Sequence, residues 1–428
     1  MDGREVCATV HRLHYHTAPL KIVRAQKQYM TDNVGVQYLD CVSNIAHVGH
    51  CHPQVVAAGK NQMGLLGSAQ GFVNDILNKY VKQLLSKLPD ILSVCYLVNS
   101  GSEANDLALR LAKSYTNKMD IVVFDEAYHG NLGNLIDISP KMFKRMTQGK
   151  KEFVHIIPYP DTYSGAYREN DSQAADKYVK EAERIITQAT DNGRKIGCFI
   201  SECIIVNCGI IFPPRNYFKD LYNLIREAGG VCIADEVQTG LGRTGEHFWA
   251  FEFGGNPVAC AIGIAVLDVI ENEKLVQSAK AVGKTLLENF QQLKAKHCVV
   301  GDVRGMGLCL GIEIVKDKYS RKPATELAQD IIYRLKDEHH ILLQVQGPNR
   351  NVITITPPMC FTQLNARSLF NALDAVLSAC SEQRPGSSNI DVQQSRPVLS
   401  TEDLDNLEEE DAERPQAKRP RTSYDDID

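Results

Sequence analysis

The chain has 428 residues, 43% of them hydrophobic, enough to bury a large core and long for one domain. Its net charge of −5 sits at one end: residues 401–428 hold eleven Asp/Glu against four Lys/Arg, so the body is near neutral and gives no general case for nucleic acid or membrane binding. Thirteen cysteines, mostly in apolar runs, read as reduced thiols of an intracellular protein; no run approaches membrane-spanning length, and Met1–Thr17 lacks a signal-peptide core and is a poor transit peptide.

Short apolar runs alternate with helical patterns through the middle of the chain. Val94–Val98, Ile121–Phe124, Phe153–Ile157, Cys198–Cys203 and Val231–Ala234 are expected as strands. Ala104, Leu107, Ala108, Leu111 and Ala112 recur at helical spacing. This alternation argues an α/β fold with a largely parallel sheet. Pro257 suits the first position of an apolar helix reaching Ile270. From about Val299 the texture changes: 299–305, 308–315, 341–345 and 352–355 are shorter strands, expected in a second, smaller α+β domain. From Ser381 the chain turns polar and acidic and is expected to be disordered. Within that tail Lys418-Arg419-Pro420-Arg421 has the composition of a weak nuclear import signal.

Three motifs carry chemistry. Ser100-Gly101-Ser102-Glu103-Ala104-Asn105 joins an apolar run to a helix, and a helix start presents N–H groups and partial positive charge that suit a phosphate. It is equally the pattern of an ordinary capped helix. Asp125-Glu126-Ala127-Tyr128-His129-Gly130 follows a strand directly. An aromatic there can stack on a planar ring or simply pack in a turn. Asp235 ends an apolar strand and can hold a pyridine nitrogen protonated, or cap a helix. The cluster His47-Val48-Gly49-His50-Cys51-His52 fits no structural zinc spacing well, and no metal is expected there.

Taken in this order, the motifs resemble the class III aminotransferase family of pyridoxal-phosphate enzymes, over about Ile22 to Leu377. Further support comes from Gly49-His50-Cys51-His52-Pro53, Thr239-Gly240-Leu241-Gly242-Arg243-Thr244-Gly245 and Gly305-Met306-Gly307-Leu308. Asn44-Ile45-Ala46-His47-Val48-Gly49-His50 and Pro357-Pro358-Met359-Cys360-Phe361 look most similar to the phospho-lyase branch, whose members act on ethanolamine phosphate and 5-phosphohydroxylysine. The resemblance implies pyridoxal-phosphate fold type I, a homodimer and a small amine-phosphate substrate. It divides the chain into residues 1–45 (small domain, N-terminal part), 46–275 (large cofactor-binding domain), 276–380 (small domain, C-terminal part) and 381–428 (tail). It gives Gly101 and Ser102 the cofactor phosphate, with His129 beside the ring-stacking Tyr128. Asp235 takes the ring nitrogen, Val237 the opposite ring face and Gln238 the ring hydroxyl. Phosphate elimination is the expected reaction, with amino transfer to a keto acid as the alternative. Family members occur in mitochondria or cytoplasm.

One group is missing. The family places a Schiff-base lysine a few dozen residues after the acid matching Asp235, but no lysine occurs between Asp235 and Pro257. The chain runs from His247–Glu252 directly into Phe253-Gly254-Gly255-Asn256-Pro257. The family segment expected at the 252/253 junction carries that lysine, two sheet strands and a Thr reaching the partner's cofactor phosphate. Glu252 stands at that Thr position, and its charge repels phosphate. Lys274, the next lysine, lies beyond a helix start and is not expected to substitute. Gly67–Gly71 and Thr354 and Thr356 also depart from the family pattern. The expectation is therefore a variant with no catalytic lysine, holding its cofactor noncovalently at best, and either inactive or a non-catalytic partner subunit.

Overall fold

The structure, a computed structural model, describes residues 13–147, 149–246 and 255–382. The 252/253 junction with Glu252, the start of the chain and the tail bearing Lys418–Arg421 lie outside the described residues. Residues Ile22–Pro385 form one compact unit, which carries everything below.

The unit opens with an antiparallel meander of β1 (Ile22–Gln26), β2 (Tyr29–Asp32) and β3 (Gln37–Asp40). Two helices follow. Helix α1 (Pro53–Met63) starts on its proline, and α2 (Asp75–Leu85) is capped by Asn74, whose Oδ1 accepts from Ile76 N and Leu77 N.

The central sheet contains β4 (Asp120–Phe124), β5 (Val154–Ile157), β6 (Ile196–Glu202) and β7 (Val231–Asp235), all parallel, in the order β5-β4-β6-β7. Strands β4 and β6 are buried along their whole length, which is why they read as unbroken apolar runs. Alternation divides their side chains between two layers. Val122, Phe124 and Phe199 pack against α6 (Ala174–Asp191) and α7 (Tyr217–Glu227) through Ala182, Ile186 and Leu221. Ile121, Val123 and Ile200 pack on the other face against Leu109 of α3 (Gly101–Thr116) and against Leu135 and Phe143 of the short helices α4 (Gly133–Ile136) and α5 (Pro140–Phe143).

The expectation of a strand over Val94–Val98 is not met: the segment has no regular secondary structure and pairs with no strand among the described residues. A strand exists only through a neighbour's hydrogen bonds, and no described residues supply one. Val94 and Tyr96 are accordingly 74% and 62% exposed. Strand β7 also has an unpaired side among the described residues. It is as apolar as β4, yet Ala234 is exposed and three more of its residues are only half-buried, because it pairs with β6 alone among the described residues.

Helices α8 (Pro257–Asn272) and α9 (Leu275–Lys296) lead into a second sheet. It pairs β8 (Val300–Met306) with β9 (Cys309–Ile314). The run expected at 341–345 divides into β10 (Ile341–Leu342), which joins β3 in parallel, and β11 (Gln344–Gln346), which joins β12 (Val352–Ile355) and through it β9. Helices α9 and α10 (Thr325–His339) cover this sheet, and α11 (Gln363–Glu382) packs against both. Half-buried Arg304 of β8 ties the sheet to the connection after β6, donating to Glu313 Oε2 at 2.7 Å and to Gly209 O at 2.7 Å. No helix of the described residues is long and apolar enough to cross a membrane.

Candidate active site

The C-terminal ends of β4, β6 and β7 open into a cavity of about 240 Å³. Open α/β sheets bind ligands at this end, where the chain leaves each strand in a different direction. The cavity is lined by Gly101, Ser102, Tyr128, His129, Asp235, Val237 and Gln238, all seven of the residues expected to form a site. They come from two strand ends, those of β4 and β7, and one helix start.

The helix start is built locally. Ser100 Oγ accepts from Glu103 N at 3.1 Å, and the Glu103 carboxylate reaches back to Asn99 N at 2.6 Å. This fixes the first turn of α3 with its positive dipole end toward the cavity. Gly130 closes against it with φ +127°, and a Cβ there would meet Ser102 Oγ at 2.5 Å. Only glycine permits this approach.

Asp235 is the electrostatic centre. His129 Nδ1 and Asn105 Nδ2 each donate to its Oδ2 at 2.8 Å, and Val237 N donates to Oδ1 at 3.1 Å. Burial works to raise this carboxyl, but His129 and the other donors outweigh it and the net shift is downward. Asn105 Nδ2 also donates to His129 O at 3.0 Å, so one amide aligns both partners. His129 Nε2 is buried with no hydrogen-bond partner, which assigns the donated hydrogen to Nδ1. Tyr128 is half-buried and burial pushes its phenol up.

An arginine fastens the chain ends around this centre. Arg243 is fully buried and donates to Pro357 O at 2.6 Å, to Leu308 O at 3.2 Å and to Asn44 O. Burial pushes its guanidinium down to about 10. Asn44 in turn donates through Nδ2 to Gln238 Oε1 at 2.5 Å. The nearby histidines go to different partners: His47 to Gly240 O, His50 to Asp40 and His52 to Glu273. Thr356, expected to depart from the family pattern, is buried and donates to Val42 O at 3.1 Å, while Thr354 is buried in β12.

The residues fit a planar pyridine phosphate in three respects: a helix start for the phosphate, an aromatic for the ring and an ionised acid for the ring nitrogen. They do not fit a covalent attachment, since no lysine is among the described residues that line the cavity. Lys274 is the cap residue before α9, with φ +52°, and is not among the lining residues. Glu202, Asn207 and Asn105 line the cavity without having been singled out in the sequence. Glu202 had a usable signal, because it ends an apolar strand as Asp235 does.

A sequence model of the family described as Aminotransferase class-III matches residues 10–252 and 249–377. The chain belongs to the class III aminotransferase family. Members of this family are pyridoxal-phosphate-dependent aminotransferases and lyases. The match falls into two pieces that meet at residues 249–252, beside the 252/253 junction. The chain is 41% identical to an alanine–glyoxylate aminotransferase 2-like protein of Drosophila melanogaster, over 87% of this chain and 85% of the relative. It is 34% identical to ethanolamine-phosphate phospho-lyase homolog 1 of Caenorhabditis elegans, over 86% and 90%. A phospholyase from Arthrobacter, solved in complex with phosphoethanolamine, superimposes with a TM-score of 0.82 at 28% identity, covering 88% of this chain and 98% of that one.

Proposed function

We propose that this chain is a phospho-lyase-branch member that keeps the cofactor pocket and lacks the lysine segment, so that it binds pyridoxal phosphate noncovalently and turns over little or no substrate. The observation carrying this reading is the cavity itself, which gathers Gly101, Ser102, Tyr128 and Asp235 with no lysine among its lining residues. The two-piece family match and the half-exposed apolar β7 support a missing segment beside the site.

When bound, pyridoxal phosphate supplies an electron sink for the carbon next to the substrate amine. The start of α3 and Ser102 hold its phosphate. Tyr128 and Val237 would cover its ring, Asp235 would hold the proton at the ring nitrogen, and Gln238, steadied by Asn44, would meet the ring hydroxyl. Residues 46–275 and the two flanking segments 1–45 and 276–380 divide as large and small domains, in a homodimer. No residue of this chain replaces the lysine that anchors the cofactor and moves the substrate proton, and losing such a group costs orders of magnitude in rate.

With the segment restored, the reaction is elimination of phosphate and ammonia from an amine-bearing phosphate ester such as ethanolamine phosphate. The phospho-lyase relative and the phospholyase structure favour this over amino transfer. The test is to purify the full chain with excess pyridoxal phosphate, treat it with borohydride, map any labelled lysine and assay phosphate release from ethanolamine phosphate. Retained cofactor without a labelled lysine is expected. A single labelled lysine with steady phosphate release refutes the reading.

A further inference from the structure

The cavity holds a second carboxyl. Glu202 of β6 lies directly opposite Asp235 in the parallel register of β6 and β7, so the two side chains stand on the same face at the ligand end of the sheet. They are 4% and 6% exposed, and both line the cavity. Two carboxylates in one buried site do not both ionise; one keeps its proton.

The surroundings decide which. Asp235 collects three donors, one from each of His129, Asn105 and Val237. Among the described residues Glu202 receives only Asn207 N and Nδ2, each at 3.3 Å. Burial first, and the Asp235 charge second, push the Glu202 carboxyl up to about 8. The thiols facing it (Cys203 and Cys208 after β6, Cys309 on β9) are all raised by burial and carry no charge at neutral pH. The cation on this side is Lys141 of α5, whose Nζ donates to Asn207 Oδ1 at 3.1 Å and so acts on Glu202 from behind.

We propose that Glu202 is the protonated member of an Asp235–Glu202 pair and donates its hydrogen to an acceptor on the ligand held beside Asp235. The ligand class is an anionic aromatic bearing oxygen or nitrogen acceptors. That ligand role rests on the pyridoxal-phosphate reading of the cavity; the protonation of Glu202 does not. A neutral donor beside an ionised acceptor lets one small cavity hold both ends of a polar ring without stacking two negative charges against a phosphate ester.

The experiment has two arms on the full chain. In the first, the infrared difference between wild type and Glu202→Gln, without cofactor, is expected to show the C=O stretch of a protonated carboxyl that titrates away with a midpoint of about 8. Lys141→Met, a change at a half-buried position, is expected to move that midpoint up, because the opposing charge is gone. A wild-type spectrum with no such band below the midpoint, or a band that survives Glu202→Gln, overturns the proposal. If Glu202→Gln does not fold, an unmoved midpoint in Lys141→Met overturns it instead. In the second arm, pyridoxal phosphate retention is measured by ultrafiltration between about pH 7 and pH 9. If only the protonated form donates, affinity falls roughly tenfold across that span in wild type and stays nearly flat in Glu202→Gln, whose carboxamide still donates. Parallel profiles overturn the ligand role. No retention at any pH overturns both that role and the cofactor reading, while the infrared band still reports the pair.

Discussion

Asn105 links two strand ends through a single amide, and Asn105→Leu isolates that link because leucine keeps the volume and removes both hydrogen bonds. One bond goes to the ionised Asp235 at 2.8 Å and one to His129 O at 3.0 Å, all in a region where Asn105 is 6% exposed. A buried bond to a charged group contributes about 1.5–3 kcal/mol and a neutral one about 0.5–1.5 kcal/mol. The variant should therefore lose about 2–4 kcal/mol at neutral pH, a roughly thirtyfold to several-hundredfold change in the folded-to-unfolded ratio. The pH dependence gives a second check. Asp235 has a folded-state value below its unfolded one, so its stabilisation is present above the unfolded carboxyl range and is lost as pH falls through the folded value. Removing Asn105 raises the folded value, so less remains to be lost on acidification. Urea unfolding of both proteins at about pH 7 and about pH 4 should show the gap narrowing at the lower pH. A loss under about 1 kcal/mol, or a gap that widens in acid, would falsify the assignment of Asp235 as the ionised centre held by this amide.

Arg243→Met should cost about 2–4 kcal/mol in urea unfolding, since it strands the carbonyls of Asn44, Leu308 and Pro357, and Arg243→Lys should recover little of it because one ammonium cannot span the three. Gly283→Ala should lower the thermal midpoint clearly, because its Cβ would lie 2.1 Å from Gly307 O, whereas Gly133→Ala, with nothing within 4 Å, should be neutral; equal effects would refute the packing of α9 on the β8–β9 turn. The His47 imidazole is pushed down to about 4 by burial and by the Arg243 charge, so the unfolded chain binds the extra proton and stability should fall between about pH 6.5 and pH 4; His47→Gln should flatten that limb in a pH series of unfolding curves.

The central strands were legible because β4 and β6 are buried on both faces and their apolar runs have no other use. The helix of Gly101–Thr116 announced itself by a capping serine and a regular apolar stripe, and Gly101, Ser102, Tyr128 and Asp235 by their positions at a helix start and strand ends, whereas His129, Val237 and Gln238 came only with the family resemblance. The absence of a lysine between Asp235 and Pro257 was equally plain, because it is a property of the chain and needs no coordinates. Local sequence could not say which apolar run finds a partner: Val94–Val98 has the composition of a strand, but hydrogen-bonded neighbours come from elsewhere in the chain. Nor could it weigh two similar acids. Asp235 and Glu202 both end apolar strands, and only the tertiary structure gives three donors to one and leaves the other beside its charge, because the energy of a buried carboxyl depends on what surrounds it.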